Sequence, residues 1–175
     1  MGKASKPTGW WRLRPEQRFP LTLLLLLIAV AALFQLGIEF VAPVQRQLSL
    51  ATAWVIDALL GVYGSGSFRR GDTLTFQGFS VRIIGECTGM VEFALLTAFM
   101  LAFPARWKER LRGIVLGGLG IYVFNLIRIV GLLVLGAKAP EYFSFFHIYF
   151  WQVTAIGIIS VIFLVWTRSL EVRAA

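Results

Sequence analysis

Long apolar runs separated by short polar segments dominate the chain, and this pattern predicts an all-α integral membrane protein. Four runs are apolar enough to form spanning helices, and they cover residues 19–41, 88–103, 113–136 and 150–167. A helix of ~20 apolar residues crosses a bilayer, so we expect about four transmembrane helices. The first run exceeds the ~7–15 apolar residues of a signal peptide and is interpreted as an uncleaved span. We treat residues 1–175 as a single membrane-embedded domain.

The segment between the first two runs predicts an amphipathic helix followed by a short β-hairpin. Apolar side chains recur at helical spacing over residues 47–63, but Asp57 within this stretch makes it a poor spanning helix. We place this helix on the outer surface of the membrane, with a fifth crossing as the alternative. Residues 73–76 and 79–83 alternate apolar and polar positions around Gln77-Gly78, which is typical of a hairpin.

Basic residues lie beside the apolar runs, and their distribution predicts the orientation of the chain. Hydrophobic residues make up 58% of the sequence, above the ~45–50% of soluble domains, and the net charge is +8. Because membrane proteins keep Lys- and Arg-rich loops in the cytoplasm, we place residues 1–18 and 104–112 on that side. Residues 47–87 and 137–149 then lie on the extracytoplasmic side, and residues 138–149 are predicted to form an outer loop dense in aromatics. The sequence therefore predicts a multi-pass protein of the cell (cytoplasmic) membrane, whose basic residues contact lipid headgroups and not nucleic acid.

Cys87 is the only cysteine in the sequence, and it lies where the hairpin segment meets the second apolar run. Thr88 is a plausible N-cap of the following helix, because its hydroxyl can accept a hydrogen bond from the first helical turn. A thiol at a helix start lies near the positive end of the backbone dipole, which favours the nucleophilic thiolate. The alternative interpretation is that Cys87 is a small apolar residue at the membrane boundary, as isolated free cysteines usually are.

Arg128 and His147 are predicted to lie in the same outer half of the membrane as Cys87. Arg128 is eight residues short of Gly136, which puts it ~12 Å below the outer end of the third span, whereas Cys87 begins the second span at the outer interface. His147, the only histidine, precedes the last span. A charge inside a membrane helix is costly and is a candidate functional group by default. Glu92, ~7–8 Å into the second span, is expected to pair with Arg128.

Cys87, His147 and Arg128 together predict acyl transfer. Cys87 would attack a peptide carbonyl, and His147 would activate the thiol and then protonate the leaving amine. Arg128, positioned by Glu92, would stabilise the oxyanion of the tetrahedral intermediate. Asn125 shares the helix face of Arg128 and is expected to orient its guanidinium or the substrate. The sequence contains no metal-ligand cluster and no nucleotide-binding motif, so we expect no cofactor and no metal.

The motifs around these residues resemble those of the exosortase/archaeosortase family of membrane transpeptidases. The similarity covers about residues 45–165 and is carried by Gly85-Glu86-Cys87-Thr88-Gly89, Asn125-Leu126-Ile127-Arg128-Ile129 and Phe146-His147. The resemblance implies that Cys87, Arg128 and His147 form a catalytic triad. It also implies that the substrates are exported proteins whose C-terminal tail contains a short motif, an apolar helix and an Arg-rich cluster. The enzyme would cut beside that helix and pass the protein to water, a lipid or a glycan.

Two other classes of protein fit part of this pattern. A small helical membrane scaffold, or a proton-coupled transporter, would use the intramembrane pair of Glu92 and Arg128 but would need neither Cys87 nor His147. A cysteine acyltransferase that acts on lipids would share the nucleophile but not the peptide substrate. Single substitutions of Cys87 and His147 distinguish the scaffold or transporter from the enzyme.

Overall fold

A computed structural model describes residues 15–36, 38–62 and 66–174 of the chain. The predicted cytoplasmic segment at residues 1–18 therefore lies mostly outside the described residues. The elements, in chain order, are α1 (Pro15–Leu36), α2 (Ile38–Val62), β1 (Ser67–Arg70), β2 (Thr73–Phe76), β3 (Phe79–Arg82), a 3-10 turn (Gly85–Thr88), α3 (Met90–Ala102), α4 (Trp107–Lys138), α5 (Pro140–Phe145), a π-helical turn (Phe146–Phe150) and α6 (Trp151–Ala174).

Three helical segments in the described part of the chain are long and apolar enough to cross a membrane. They cover Arg18–Leu36, Trp107–Lys138 and Pro140–Leu170. These segments and the small sheet confirm the predicted class, a helical membrane protein with a short hairpin. The predicted second span is shorter than expected, because α3 has only 13 residues and rises ~20 Å along its axis. In the described residues α2 is not among the helices that meet the criteria for a span.

Two segments predicted as loops are helical. The basic residues at 107–112 form the first turns of α4, where Arg106 and Glu109 make an ion pair with an Nη2–Oε1 distance of 2.5 Å. The aromatic segment at 137–149 continues from α4 into α5 and the π-helical turn. Its rings stack at helical spacing, with Phe146 and Phe150 5.0 Å apart between ring centroids. Pairs of aromatic side chains four residues apart stabilise a helix, which accounts for the difference.

The sheet is antiparallel, with the strand order β1-β2-β3. The predicted hairpin is confirmed, since Phe76 pairs with Phe79 and Thr73 pairs with Arg82. Its turn residues Gln77 and Gly78 both have positive φ, 48° and 86°, as the favoured two-residue hairpin turn requires. The sequence interpretation missed β1, which pairs with β2.

An ion pair joins Arg82, the last residue of β3, to Asp72 in the turn between β1 and β2. The Nε of Arg82 donates a hydrogen bond to Oδ2 of Asp72 at 3.0 Å. This bond lowers the pKa of Asp72 below its ordinary value. In addition, the Ile83 amide donates to the Asp72 carbonyl at 2.9 Å, so the chain leaves β3 in a fixed direction.

Helix α4 has two ends that pack against different parts of the molecule. A first core cluster, which we call the sheet layer, joins α2, the sheet and the C-terminal half of α4 and includes Ile56, Leu74, Ile83, Cys87 and Leu133. A second cluster, the basic-end layer, joins α3, α4 and α6 and includes Leu96, Met100, Ile121, Ile159 and Trp166. The ring of Phe79 lies against Gly136, whereas Trp166 lies against Gly113. The sheet and the basic residues of α4 are therefore at opposite ends of the molecule.

Candidate active site

Cys87 lies in the 3-10 turn that connects the sheet to α3. Its amide donates to the Ile84 carbonyl at 2.8 Å, and its side chain is buried, with 7% of the residue exposed. The predicted N-cap role of Thr88 is wrong. Gly89 occupies the N-cap position with φ +75°, a left-handed conformation that favours glycine, while the Thr88 hydroxyl donates to the Gly85 carbonyl at 2.6 Å. Thr88 therefore closes the turn that carries the thiol.

Asn125 of α4 contacts the Cys87 turn directly. Its side-chain Nδ2 donates a hydrogen bond to the Cys87 carbonyl, so its observed partner is the backbone of Cys87 and not the guanidinium of Arg128. The contact brings Cys87 to within about one helical turn of Arg128 along α4. The sequence interpretation put Cys87 at the outer interface and Arg128 ~12 Å below the outer end of the third span. The bond to Asn125 instead puts the Cys87 backbone near the level of Arg128 on α4. The reason is that α3 begins beside Asn125, and the sheet fills the space along the rest of α4.

Glu92 and Arg128 form the predicted ion pair. Nη1 of Arg128 lies 3.9 Å from Oε1 of Glu92, and the two side chains are 13% and 18% exposed. Within the described part of the chain, Arg128 Nε and Glu92 Oε2 are buried without a hydrogen-bond partner. The guanidinium is thus held by one carboxylate oxygen and keeps donor capacity for a further ligand.

His147 is held by an aromatic stack in the π-helical turn. Its imidazole stacks on the Phe143 ring with a centroid distance of 5.4 Å and an interplanar angle of 9°. His147 lines the same cavity as Arg128 and Glu86. Its Nδ1 has no hydrogen-bond partner among the described residues. The ring is thus fixed in orientation by stacking, with one nitrogen still free to bond.

A single cavity of about 470 Å³ is lined by Cys87, Glu92, Arg128 and His147. The structure therefore brings the three residues of the predicted triad, and the partner of Arg128, to one space. Asn125 and Thr88 do not line this cavity. Asn125 bonds the Cys87 carbonyl from α4, and Thr88 bonds within the turn itself, so both hold the Cys87 turn without forming the cavity wall.

A family model described as transmembrane exosortase matches residues 9–166. The chain belongs to the transmembrane exosortase family. No curated protein and no solved structure matches it. The exosortase match extends to both sides of the region at 45–165 that carried the sequence resemblance, and it includes every residue lining the cavity. The protein is accordingly a membrane protein with an exosortase-type function.

Other residues of the exosortase cavity were missed in the sequence interpretation. Glu86 was quoted only as part of a motif, although it is exposed and lies at the cavity beside Cys87. Trp151 and Gln152 of α6 also line the cavity. Their spacing of four residues from His147 and Ile148 puts them on the same helix face, one turn further along. That spacing is the signal that could have identified them. It has meaning only for a helix, and residues 137–149 were predicted as a loop.

The cavity combines groups suited to attack on a carbonyl. A thiol becomes a strong nucleophile once it is deprotonated, an imidazole can accept and return a proton, and a guanidinium can stabilise a developing negative charge. Among residues 15–36, 38–62 and 66–174 there is no group of three His, Cys, Asp or Glu side chains arranged to hold a metal ion. The expectation that the enzyme uses no cofactor stays a prediction.

Proposed function

We propose that this exosortase is a cysteine transpeptidase or peptidase that removes the C-terminal sorting tail of exported proteins. The observation that supports the proposal is the shared cavity, which is lined by the only cysteine, the only histidine and an arginine within a candidate membrane span. Residues 1–175 would form one membrane-embedded transpeptidase domain. The substrates would carry a short motif, an apolar helix and an Arg-rich tail, and they would approach from the surrounding lipid.

The proposed reaction has two acyl-transfer steps. In the first, the Cys87 thiolate attacks the scissile carbonyl, and the negative charge moves to the carbonyl oxygen beside Arg128. The tetrahedral intermediate then collapses, the C–N bond breaks, and the amine leaves with the proton that His147 took from the thiol. In the second step, an acceptor hydroxyl or amine loses its proton to His147, attacks the thioester and releases the thiolate. The acceptor would be water, a membrane lipid or a glycan.

The cavity's hydrogen-bonding pattern supports Arg128 as the oxyanion donor. The Cys87 amide is already bonded to the Ile84 carbonyl and is not free to bond an oxyanion. Arg128 reaches the cavity, and its Nε has no hydrogen-bond partner among the described residues. A preorganised donor in a site with little water is worth about 10²–10³ in rate.

Arg128→Lys is expected to lower kcat by about 10²–10³, because lysine keeps the charge but loses the planar fork that binds Glu92 and an oxyanion together. Glu92→Gln should cost less activity, since an amide oxygen still accepts one hydrogen bond. Glu92→Ala should also lower the Tm, because it strands a buried guanidinium. The measurements are turnover and thermal unfolding in detergent, with Arg82→Lys as the matched control at an exposed ion pair. Wild-type turnover by Arg128→Lys would rule out the oxyanion role.

The proposed active site faces the extracytoplasmic side. This orientation is supported by the basic residues of α4, which lie at the opposite end of the molecule from the sheet and should stay in the cytoplasm. Cysteines introduced in a Cys87→Ser background test the orientation, because the background then has no other thiol.

We expect a membrane-impermeant thiol reagent to label Arg70→Cys and Glu141→Cys in intact cells and to spare Lys108→Cys. All three positions are exposed at the protein surface, so differences in labelling report the side of the membrane. Labelling after cell lysis is the control for reactivity. Protection of position 70, or labelling of position 108, would place the cavity on the cytoplasmic side and contradict this orientation.

The function is tested by co-expression with a membrane protein that carries a candidate tail. We expect the wild-type exosortase to remove the tail and the Cys87→Ala variant to leave it in place, with both proteins at equal levels in the membrane. A scaffold or transporter is the second candidate, since the buried pair of Glu92 and Arg128 is the feature it requires. Such a protein would perform equally well with alanine at position 87.

A further inference from the structure

The hydrogen bond from Asn125 to the Cys87 carbonyl joins two buried groups that are 38 residues apart in the chain. Asn125 is 3% exposed and lies in the middle of an otherwise apolar helix. A buried amide costs free energy unless it is hydrogen-bonded, so an apolar residue here would be the simpler choice for packing alone. The partner of the amide is the backbone of the residue that carries the thiol.

Both polar backbone groups of Cys87 are used in bonds to the protein. Its amide donates to the Ile84 carbonyl at 2.8 Å, and its carbonyl accepts from Asn125. The backbone at this residue is therefore fixed on both sides, and rotation of the side chain is the main freedom left to the thiol. Loss of the Asn125 amide would release one side and leave a buried carbonyl without its partner.

Two glycines allow the Cys87 turn to lie close between α2 and α4. At Gly89, which has φ +75°, an added Cβ would lie 3.3 Å from Cγ2 of Ile121 and 3.7 Å from Cβ of Asn125. At Gly85, an added Cβ would lie 2.7 Å from the side-chain Cδ of Gln45 on α2. The turn thus packs against both α2 and α4. Of these two sides, α4 contributes a hydrogen bond, from Asn125 to the Cys87 carbonyl.

Helix α4 also carries Arg128, three residues after Asn125 and on a neighbouring position of the same helix face. One rigid helix therefore holds the backbone of the nucleophile through Asn125 and presents the guanidinium to the cavity through Arg128. The spacing between the two side chains is set by the helix and not by a flexible loop.

We propose that Asn125 is a positioning residue that fixes the Cys87 turn against α4 and so sets the placement of the thiol relative to the Arg128 guanidinium. The catalytic consequence rests on the proposed cysteine transpeptidase function, whereas the effect on the thiol itself does not. Misplacement of a reacting group by about 1 Å can lower a rate about 10²-fold.

The test compares three variants in purified protein in detergent. Asn125→Leu removes the donor at similar size, Asn125→Asp replaces it with an acceptor that faces the Cys87 carbonyl, and Asn125→Gln keeps the amide on a longer side chain. The matched control is Leu126→Ala, which weakens packing of α4 against the sheet layer and leaves the Asn125 amide in place. Each protein is measured for kcat, KM, Tm and the rate at which iodoacetamide alkylates Cys87. The chain has one cysteine, so alkylation reports this thiol alone.

We expect Asn125→Leu and Asn125→Asp to lower kcat about 10²-fold with little change in KM. Their Cys87 should be alkylated faster than in wild type at temperatures well below the Tm, because the released turn exposes the thiol. Asn125→Gln should recover part of kcat, and Leu126→Ala should keep kcat even where its Tm falls as far as that of Asn125→Leu.

The proposal is overturned if Asn125→Leu or Asn125→Asp folds and matches wild type in both kcat and alkylation. It is equally overturned if Leu126→Ala loses as much kcat as they do at the same Tm, or if none of the three Asn125 variants folds, since Asn125 would then serve the fold as a whole. A failed transpeptidase function has a different signature. In that case wild type removes no tail, while the alkylation rates still report whether Asn125 fixes the turn.

Discussion

Cys87→Ala is expected to abolish removal of the substrate tail while the protein still inserts and folds. The thiol would form the covalent bond to the substrate acyl group, and alanine has no atom that can replace it. The fold should tolerate the change, because Cys87 is a small buried residue whose backbone bonds do not involve the sulfur. The measurement is the fraction of tail-bearing substrate remaining after co-expression, together with the Tm of the purified variant.

Cys87→Ser should be almost as inactive as Cys87→Ala. A serine hydroxyl has nearly the size of the thiol but does not supply a pre-formed anion at neutral pH. The matched control is Thr97→Ala, which removes an exposed hydroxyl bonded within α3 and lies outside the cavity lining. Normal processing by Cys87→Ala would end the transpeptidase proposal and favour the scaffold or transporter.

His147→Ala is expected to lower turnover by about 10²–10⁴, the range measured for loss of a general acid–base group. The imidazole is the cavity group that can both take the thiol proton and return it to the leaving amine. His147→Gln keeps a polar side chain of similar length but cannot carry the proton, so it should be as inactive as His147→Ala. The measurement is single-turnover cleavage at saturating enzyme.

The aromatic stack offers a control for His147. Phe143→Leu removes the ring on which the imidazole stacks but keeps the base, so we expect a smaller loss of rate than in His147→Ala. If His147→Ala turns over at a near-normal rate and Phe143→Leu lowers the Tm, the imidazole belongs to the aromatic cluster and has no proton-transfer role.

The class of fold and four of the residues that line the cavity were predictable from the sequence, for one physical reason. The low dielectric of a membrane makes apolar runs long and polar exceptions rare, so spans are visible as averages over many residues. The same contrast makes Cys87, Glu92, Arg128 and His147 stand out. Their assembly at one cavity and the ion pair of Glu92 with Arg128 agree with those expectations.

The position of Cys87 along α4 was not predictable from hydropathy. An apolar run that begins at position 88 was assumed to start at the membrane surface, but α3 is only 13 residues long and begins beside Asn125 of α4. The C-terminal half of α4 packs instead against Leu74 of the sheet and Ile83, which follows β3. A long-range contact of this kind leaves no periodic signal in either segment.

The local conformations predicted for Thr88 and for residues 137–149 were wrong for a different reason. Thr88 has the composition of an N-cap, but the left-handed Gly89 ends the 3-10 turn one residue later and takes that position. Residues 137–149 contain Pro140 and many aromatics, which look like an interfacial loop. Contacts between rings four residues apart favour a helix over this segment and outweigh that composition.

The most direct test of the account is the mass of the Cys87 peptide from wild-type protein quenched in acid during turnover. We predict an added mass equal to the acyl portion of the substrate upstream of the cut, removable by hydroxylamine as expected for a thioester. His147→Ala should accumulate less of the adduct, and Cys87→Ala should show none. Cleavage of the substrate with the Cys87 peptide unmodified in every quenched sample would contradict the account.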